Sequence, residues 1–304
     1  MKVDLSKIKT ESSNEATKNI DTLDTIDIIS LINEEDKKVA YAVEKEKEHI
    51  AKLVDKVVEA FYNDGRLIYM GAGTSGRVGI IDAVECRPTF GVSDNMVRCL
   101  MAGGTNAFVK AVEGAEDNSE LGASDLKNIN LNKNDIVIGI AASGRTPYVV
   151  GGIKYAKEIG CLTGAIVTSP NSVLASLVDY PVEVIVGSEV ITGSTRMKSG
   201  TAQKMVCNMI STSAMIKMGK VYGNLMIDVM PTNEKLRSRA LNILITATGV
   251  SEEEAKSALE KYGTVKKALF SILSGIEDIK KIEEVLNKNK GHIRRSLEEV
   301  KKNG

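Results

Sequence analysis

The chain contains 304 residues, 43% of them hydrophobic, which is enough to bury one large core beside a smaller second domain. Its 40 basic and 40 acidic residues cancel, and this disfavours nucleic acid as a partner because phosphate backbones select basic surfaces. We expect no signal peptide and no membrane span, since the first segment is polar and no apolar run is long enough. The four cysteines form no CxxC pair, which indicates small core residues in a reduced, cytoplasmic compartment.

The N-terminal part is predicted to be helical. The first twenty or so residues are polar and are expected to form an arm. From Thr22 to about Asn63, apolar residues recur at three- and four-residue spacing, which predicts amphipathic helices. Asp64-Gly65 then predicts a helix end. We assign residues 1–56 to an arm with N-terminal helices.

Short apolar runs then alternate with glycine- or serine-rich turns and amphipathic helices. The runs are RLIYMG, MVRCLMAGG, DIVIGIAASG, LTGAIVTSP and VEVIVGSE. Runs of this length, rich in Val, Ile and Leu, are typical of strands buried on both faces. Their alternation with helices predicts an α/β fold over residues 57–232, a three-layer α/β/α sandwich around a parallel sheet.

The remaining residues, 233–304, are predicted to form a small helical domain. The helical segments are KLRSRALNILITATG, SEEEAKSALEKYG and TVKKALFSILSG. Ser251 and Glu254 have the spacing of a capping box, which marks the start of one of these helices.

Three of the predicted strand ends carry glycine together with serine or threonine. The loops are Gly71-Ala-Gly-Thr-Ser-Gly-Arg77, Ala142-Ser-Gly-Arg-Thr-Pro147 and Thr192-Gly-Ser-Thr-Arg-Met-Lys198. Ligands of parallel sheets collect at the carboxyl ends of strands, where helix N-termini and hydroxyl groups can hold phosphate. A single such loop is equally consistent with a tight turn and a helix cap, but three together favour a sugar-phosphate site. The nucleotide P-loop pattern is absent from the sequence, as is a well-placed GxGxxG followed by a ribose-binding acid.

Carboxylates are the expected proton carriers, because His49 and His292 lie far in sequence from the three loops. One acidic cluster is Asp82 with Glu85, and the other comprises Glu113, Glu116 and Asp117. The first cluster is predicted on a helix that starts near Ser75, turns Ile80, Ile81 and Val84 to the core, and ends at Pro88. Glu85 would then lie at a helix end, where the macrodipole disfavours a negative charge. A plain surface carboxylate is the alternative at this position.

Longer strings resemble a known family. The loops are similar to the sugar isomerase (SIS) domain, and four stretches resemble the N-acetylmuramic acid 6-phosphate etherases. These are YMGAGTSGRVGIIDAVECRPTFGV, AGGTNAFVKAVEGAEDN, IGIAASGRTPYVVGGIKYAK and ITGSTRMKSGTAQKMVCNMIST. The similarity extends from about Thr10 to the C-terminal helices.

The resemblance implies a cytoplasmic lyase that removes D-lactate from a muramic acid 6-phosphate by elimination and hydration, in cell-wall sugar catabolism. It implies no metal or redox cofactor and a homodimer. Glu85 matches the family's principal acid/base and Glu116 its second glutamate; Glu113, on the same predicted helical face, stays an alternative. The implied substrate-binding residues are Thr74, Ser75, Gly76, Ser143, Gly144, Arg145, Thr146, Ser194, Thr195 and Lys198, with Arg196 a further nearby cation.

One position departs from the family, which usually has proline where this chain has Arg87. We expect a changed loop surface there and no loss of activity. Two other functions stay open. One is a non-catalytic sugar-phosphate sensor related to glucokinase regulatory protein, and the other is an aldose–ketose isomerase.

Overall fold

A computed structural model describes residues 11–110, 112–229 and 234–303, so the start of the predicted arm lies outside the described residues. The chain divides into two compact units. The first unit contains the described residues up to Val84 together with Asp94–Ser211. The second contains Glu85–Ser93 and the described part of Thr212–Gly304. The domain limits at residues 56 and 232 stay a prediction.

The first unit opens with the expected helices. Two short 3-10 turns, Glu15–Thr17 and Ile20–Thr22, precede α1 (Thr25–Lys45) and α2 (Lys47–Tyr62). Helix α2 is amphipathic, and its buried face packs against the strands that follow. Asp64 has a φ of 58°, which ends the helical segment where the sequence predicts it.

The centre of the first unit is a five-stranded parallel sheet. Its strands are β1 (Leu67–Gly71), β2 (Val97–Met101), β3 (Ile136–Ala141), β4 (Leu162–Val167) and β5 (Tyr180–Glu183). Their order across the sheet is β2-β1-β3-β4-β5. All five predicted strands are confirmed, but β5 ends earlier than the apolar run. Its neighbour β4 ends at Val167, whose carbonyl accepts the last hydrogen bond from the Val184 N–H at 2.9 Å.

Helices cover both faces of this sheet. Those after β1 are α3 (Gly73–Phe90), α4 (Asn106–Val109), α5 (Ser119–Asn128), α6 (Pro147–Ile159), α7 (Val173–Leu177) and α8 (Lys198–Lys217). Gly139 of β3 faces Val149 of α6, whereas Gly164 of β4 faces Leu53 of α2. Gly139 pairs with Ala165, the residue after Gly164, so these glycines point to opposite faces. The predicted three-layer α/β/α sandwich is therefore confirmed.

The second unit is mainly helical. A short hairpin, β6 (Val221–Tyr222) and β7 (Leu225–Met226), precedes α9 (Glu234–Thr248), α10 (Glu252–Tyr262), α11 (Val265–Ser274), α12 (Ile279–Lys288) and α13 (Ile293–Asn303). Its core is built on Leu244, Leu269 and Phe270, all fully buried. The predicted helical region is confirmed, as is the capping box at Ser251 and Glu254. Across the described residues, every helix is too short or too polar to cross a membrane.

Candidate active site

The strand order reverses between β1 and β3. From β1 the chain continues outward to β2, whereas from β3 it continues the other way to β4 and β5. In open parallel sheets, ligands bind in the crevice that forms outside the carboxyl ends of the strands at such a point. The loops after β1 and β3, two of the three predicted phosphate loops, meet at this edge.

Glu116 lies at this edge. Its backbone carbonyl accepts a hydrogen bond from the Tyr148 N–H, 3.0 Å away, at the start of α6. Its side chain is exposed, and it lines a cavity of about 200 Å³ with Ala72 and Gly73, which follow β1. Glu113 lines the same cavity. The structure thus brings both candidate glutamates to the edge of the sheet where the strand order reverses between β1 and β3.

The segment that carries these glutamates is not helical. Residues 112–118 form turns, and Gly114 has a φ of 74°, a conformation that interrupts a helix. The prediction of a shared helical face for Glu113 and Glu116 is therefore wrong. The two carboxylates converge because the turn between them folds around one cavity.

Two glycines fix the position of the Glu116 loop relative to α6. A Cβ on Gly122 of α5 would lie 2.0 Å from the Tyr148 carbonyl oxygen, and a Cβ on Gly151 of α6 would lie 2.0 Å from the Ser119 carbonyl oxygen. Helices α5 and α6 therefore touch through their backbones. Because Glu116 lies three residues before Ser119, the first residue of α5, this contact holds it beside the loop after β3.

The loop after β1 is held by close backbone contacts. Gly76 approaches the Gly71 carbonyl so closely that a Cβ there would lie 2.9 Å from its oxygen. Ser75 is buried, and its Oγ donates to Oε1 of Gln203 at 2.9 Å. Thr74 lies against Gly200, near the start of α8. The structure thus joins the first predicted loop to the helix that follows the third.

The loop after β3 presents a threonine hydroxyl at the start of α6. Thr146 is the N-cap residue of α6, yet its side chain makes no cap hydrogen bond to the first turn. Gly144 has a φ of 63°, and a Cβ there would lie 2.2 Å from Ser172 Oγ. Ser143 is partly buried and Arg145 is exposed. A helix N-terminus whose N-cap hydroxyl makes no cap hydrogen bond suits a phosphate group.

The third loop is held by a buried carboxylate that the sequence analysis missed. Glu189 is fully buried, and its two oxygens accept the N–H groups of Lys198 and Ser199, each at 2.9 Å. These groups belong to the first turn of α8, so Glu189 occupies that helix N-terminus. Ser194 and Thr195 lie partly buried in the preceding loop, and the other predicted cation of this loop, Arg196, is exposed.

Lys198 is placed away from the loop surface. Its ammonium is buried and donates to Oε2 of Glu35 in α1 at 2.5 Å. Burial by itself would raise the pKa of Glu35, but hydrogen bonds from Lys198 and Lys38 outweigh it and hold that pKa below its ordinary value. The structure therefore engages Lys198 in a buried ion pair and does not group it with the loop hydroxyls.

Helix α3 differs from the sequence prediction in where it ends and in which residues it buries. It continues through Pro88 to Phe90, so the prediction that Pro88 ends it is wrong. Ile81 and Val84 were expected in the core, but they are 48% and 60% exposed. Glu85 is exposed and stands before the last turn.

Asp82, in contrast, faces the interior. It is 4% exposed and accepts hydrogen bonds from Tyr69 Oη, Asn208 Nδ2 and Ser211 Oγ at 3.1, 2.7 and 3.0 Å. Burial raises the pKa of Asp82 above its ordinary value, although these hydrogen bonds oppose the shift. This carboxylate fixes α3 to β1 and α8. A polar residue inside the apolar string IIDAV was the only signal of it.

Comparison with known proteins identifies the family. Residues 49–157 match the glucokinase regulatory protein N-terminal SIS domain, and residues 112–213 match the SIS domain. An N-acetylmuramic acid 6-phosphate etherase of Clostridium botulinum is 55% identical over 299 residues, covering 98% of this chain and 99% of the relative. One from Clostridioides difficile is 52% identical, with 98% of each chain covered.

The chain belongs to the N-acetylmuramic acid 6-phosphate etherase family. The etherase relatives match it over nearly their whole length, including both compact units. A solved phosphoheptose isomerase from Neisseria gonorrhoeae is 14% identical, with a TM-score of 0.48 over 62% of this chain and 96% of that chain.

Proposed function

We propose that this protein is an N-acetylmuramic acid 6-phosphate etherase, a carbon–oxygen lyase of amino sugar catabolism. The full-length etherase relatives support the reaction. Glu116 lies where the loops after β1 and β3 meet, and this position is the observation that supports it as a catalytic residue.

The proposed reaction balances without an added cofactor. The sugar ring opens to its aldehyde, which acidifies the proton on C2. A base removes that proton, the electron pair forms a C2–C3 double bond, and the C3–O bond to the lactyl group breaks as an acid protonates the departing oxygen. Water then adds at C3 and a proton returns to C2. The products are D-lactate and N-acetylglucosamine 6-phosphate.

Two glutamates divide the proton transfers. Glu116 is the proposed base at C2, and Glu85 takes the role of acid, and then of activator of water, through its match to the family motif. Glu113 is the competing base because it lines the same cavity as Glu116. Each positioned acid or base contributes about 10²–10⁴-fold in rate.

The substrate phosphate is proposed to bind at the N-terminus of α6. Thr146 and Ser143 supply hydroxyl groups there, and Arg145 is an exposed cation beside them. Ser75 keeps acceptor capacity while it donates to Gln203. Ser194 and Thr195, with Thr74 and the close-approaching Gly76, complete the proposed set. Lys198 is proposed to stabilise the fold and not to contact the substrate, since its ammonium is paired with Glu35.

We also propose a homodimer in the cytoplasm. The exposed apolar side chains of Ile81 and Val84, four and one positions before Glu85 on α3, support pairing with a second copy. The four cysteines, all among the described residues, form no disulfide, as is typical of a reducing compartment: Cys86, Cys99, Cys161 and Cys207. Gel filtration with light scattering tests the dimer, and an Ile81→Glu variant that stays dimeric would count against this face.

Release of D-lactate tests the proposal. Purified protein is incubated with N-acetylmuramic acid 6-phosphate, and the wild type is compared with Glu116→Gln and Glu113→Gln. We expect lactate from the wild type and a loss of about 10²–10⁴-fold in kcat for Glu116→Gln only. An equal loss in Glu113→Gln alone would transfer the role of base to Glu113.

The regulator alternative is favoured by one observation, the match of residues 49–157 to the glucokinase regulatory protein domain. Tight sugar-phosphate binding without lactate release would support it against the etherase. A ketose product without lactate would support an isomerase.

A further inference from the structure

The second unit contains a cavity of its own, and no residue of the three predicted phosphate loops lines it. Its volume is about 460 Å³, within the range of small-molecule sites. Ile227, Val229 and Leu286 provide apolar wall, while Thr264 and Asn287 provide hydrogen-bonding groups.

Positive charge is in excess around this cavity. Lys220 and Lys266 both form ion pairs with Oδ2 of Asp228, at 2.9 and 2.7 Å, and Lys266 also donates a hydrogen bond to it. Lys267 pairs with Glu283 on the same wall. Three ammonium groups therefore face two carboxylates, and two of the ammonium groups share a single oxygen.

The Lys266 ammonium has more N–H donors than acceptors among the described residues. Its side chain is 14% exposed, and among the described residues Asp228 is its hydrogen-bond acceptor. An ammonium carries three N–H donors, so two of them have no acceptor among the described residues and can donate to a ligand in the cavity. Burial and the charge of Lys220 lower the pKa of Lys266, against the attraction of Asp228, so an added anion would relieve an existing repulsion.

We propose that this cavity binds a small phosphorylated metabolite. The phosphate group lies between Lys220 and Lys266, where charge-assisted hydrogen bonds recognise it. The N-terminus of α11, which starts after Thr264, favours the same negative charge. The carbon skeleton lies over Ile227 and Leu286, with Asn287 available to its hydroxyl groups.

Such a ligand would touch the segment that carries Glu85. Gly91 lines the cavity, and a Cβ on Gly91 would lie 2.2 Å from the Asp228 carbonyl oxygen. The backbone after Glu85 therefore rests on the residue whose carboxylate holds both lysines. The cavity lining shares no residue with the proposed etherase site, and ligand binding there does not depend on the etherase activity.

Equilibrium dialysis of the full chain with labelled glucose 6-phosphate tests the proposal. Lys220→Met is expected to weaken one class of sites by roughly 10- to 100-fold, since a charge-assisted hydrogen bond is lost. Lys220→Arg should retain that class. Lys261→Met is the matched control, because Lys261 pairs with Glu277 on the surface of the same unit. An unchanged isotherm in Lys220→Met would overturn the proposal.

Two further arms identify the ligand chemistry. Inorganic phosphate should compete weakly and glucose should not compete; phosphate binding as tightly as glucose 6-phosphate would overturn the assignment to a metabolite.

A measurement on the wild-type protein tests the site even where the Lys220→Met variant misfolds. Glucose 6-phosphate should slow the acetylation of Lys220, read by mass spectrometry, and leave Lys261 unaffected. Equal acetylation of Lys220 with and without the ligand would contradict the site.

Discussion

Replacement of Glu189 is expected to loosen the first turn of α8 and the loop that precedes it. The carboxylate is fully buried and accepts the N–H groups of Lys198 and Ser199. In Glu189→Ala both N–H groups lose their acceptor in the interior. Each unsatisfied buried group costs about 1–3 kcal/mol, so the free energy of unfolding should fall by roughly 2–6 kcal/mol.

Glu189→Gln removes the charge and one of the two acceptors. Glutamine keeps one acceptor oxygen, leaves one N–H group unsatisfied and loses the negative charge at the helix N-terminus, so we expect a loss of about 1–4 kcal/mol. Urea unfolding of the full chain measures both variants. Hydrogen exchange at the Lys198 and Ser199 amides gives the local effect, which should be faster exchange in Glu189→Ala.

Glu158→Ala is the control, because Glu158 is exposed on α6 and its loss should change stability by less than about 0.5 kcal/mol. If Glu189→Ala lost less than about 1 kcal/mol with unchanged exchange at α8, the N-terminal role of this carboxylate would be refuted. A weaker substrate affinity in Glu189→Gln, with kcat retained, would further link the carboxylate to the loop of Ser194 and Thr195.

Three further predictions follow from individual contacts. Burial holds the pKa of His292 below its ordinary value of 6.5, so the unfolded chain binds the proton more tightly and stability is lost as pH falls below about 6.5. His292→Phe should flatten that slope in urea midpoints measured against pH. Gly122→Ala places a methyl group 2.0 Å from the Tyr148 carbonyl oxygen; it should cost about 1–3 kcal/mol in urea unfolding and lower lactate release. Thr146→Val should raise the KM for the phosphorylated substrate by about tenfold, since one hydroxyl contact is lost.

The layered fold could be predicted from the sequence because its signals are local. Apolar runs such as DIVIGIAASG are bounded by turns, and their alternation with amphipathic helices leaves few other arrangements. The end of β5 at Glu183 could not be predicted, since it depends on where its neighbour β4 ends.

The orientation of α3 was harder to predict. Its apolar residues are spread around the helix, so the buried face is decided by partners distant in sequence. Asp82 points inward because Tyr69, Asn208 and Ser211 donate hydrogen bonds to its carboxylate. This orientation leaves the adjacent Ile81 exposed.

The candidate site also combines features that the sequence predicts with features that it does not. The hydroxyl- and glycine-rich loops were visible as motifs, and their convergence follows from the parallel sheet. The partners of the third loop were not visible, because Glu35 lies 163 residues before Lys198 in the chain. Nothing in the local sequence distinguishes Glu189 from a surface carboxylate.

Conversion of N-acetylmuramic acid 6-phosphate in D₂O tests the central claim most directly. Elimination removes the C2 proton and hydration returns one from solvent, so the N-acetylglucosamine 6-phosphate product should carry deuterium at C2 in equal amount to the D-lactate released. The NMR spectrum of the product reads this position. Lactate released with the original proton retained at C2 would contradict elimination, and no lactate from the folded protein would contradict the etherase activity itself.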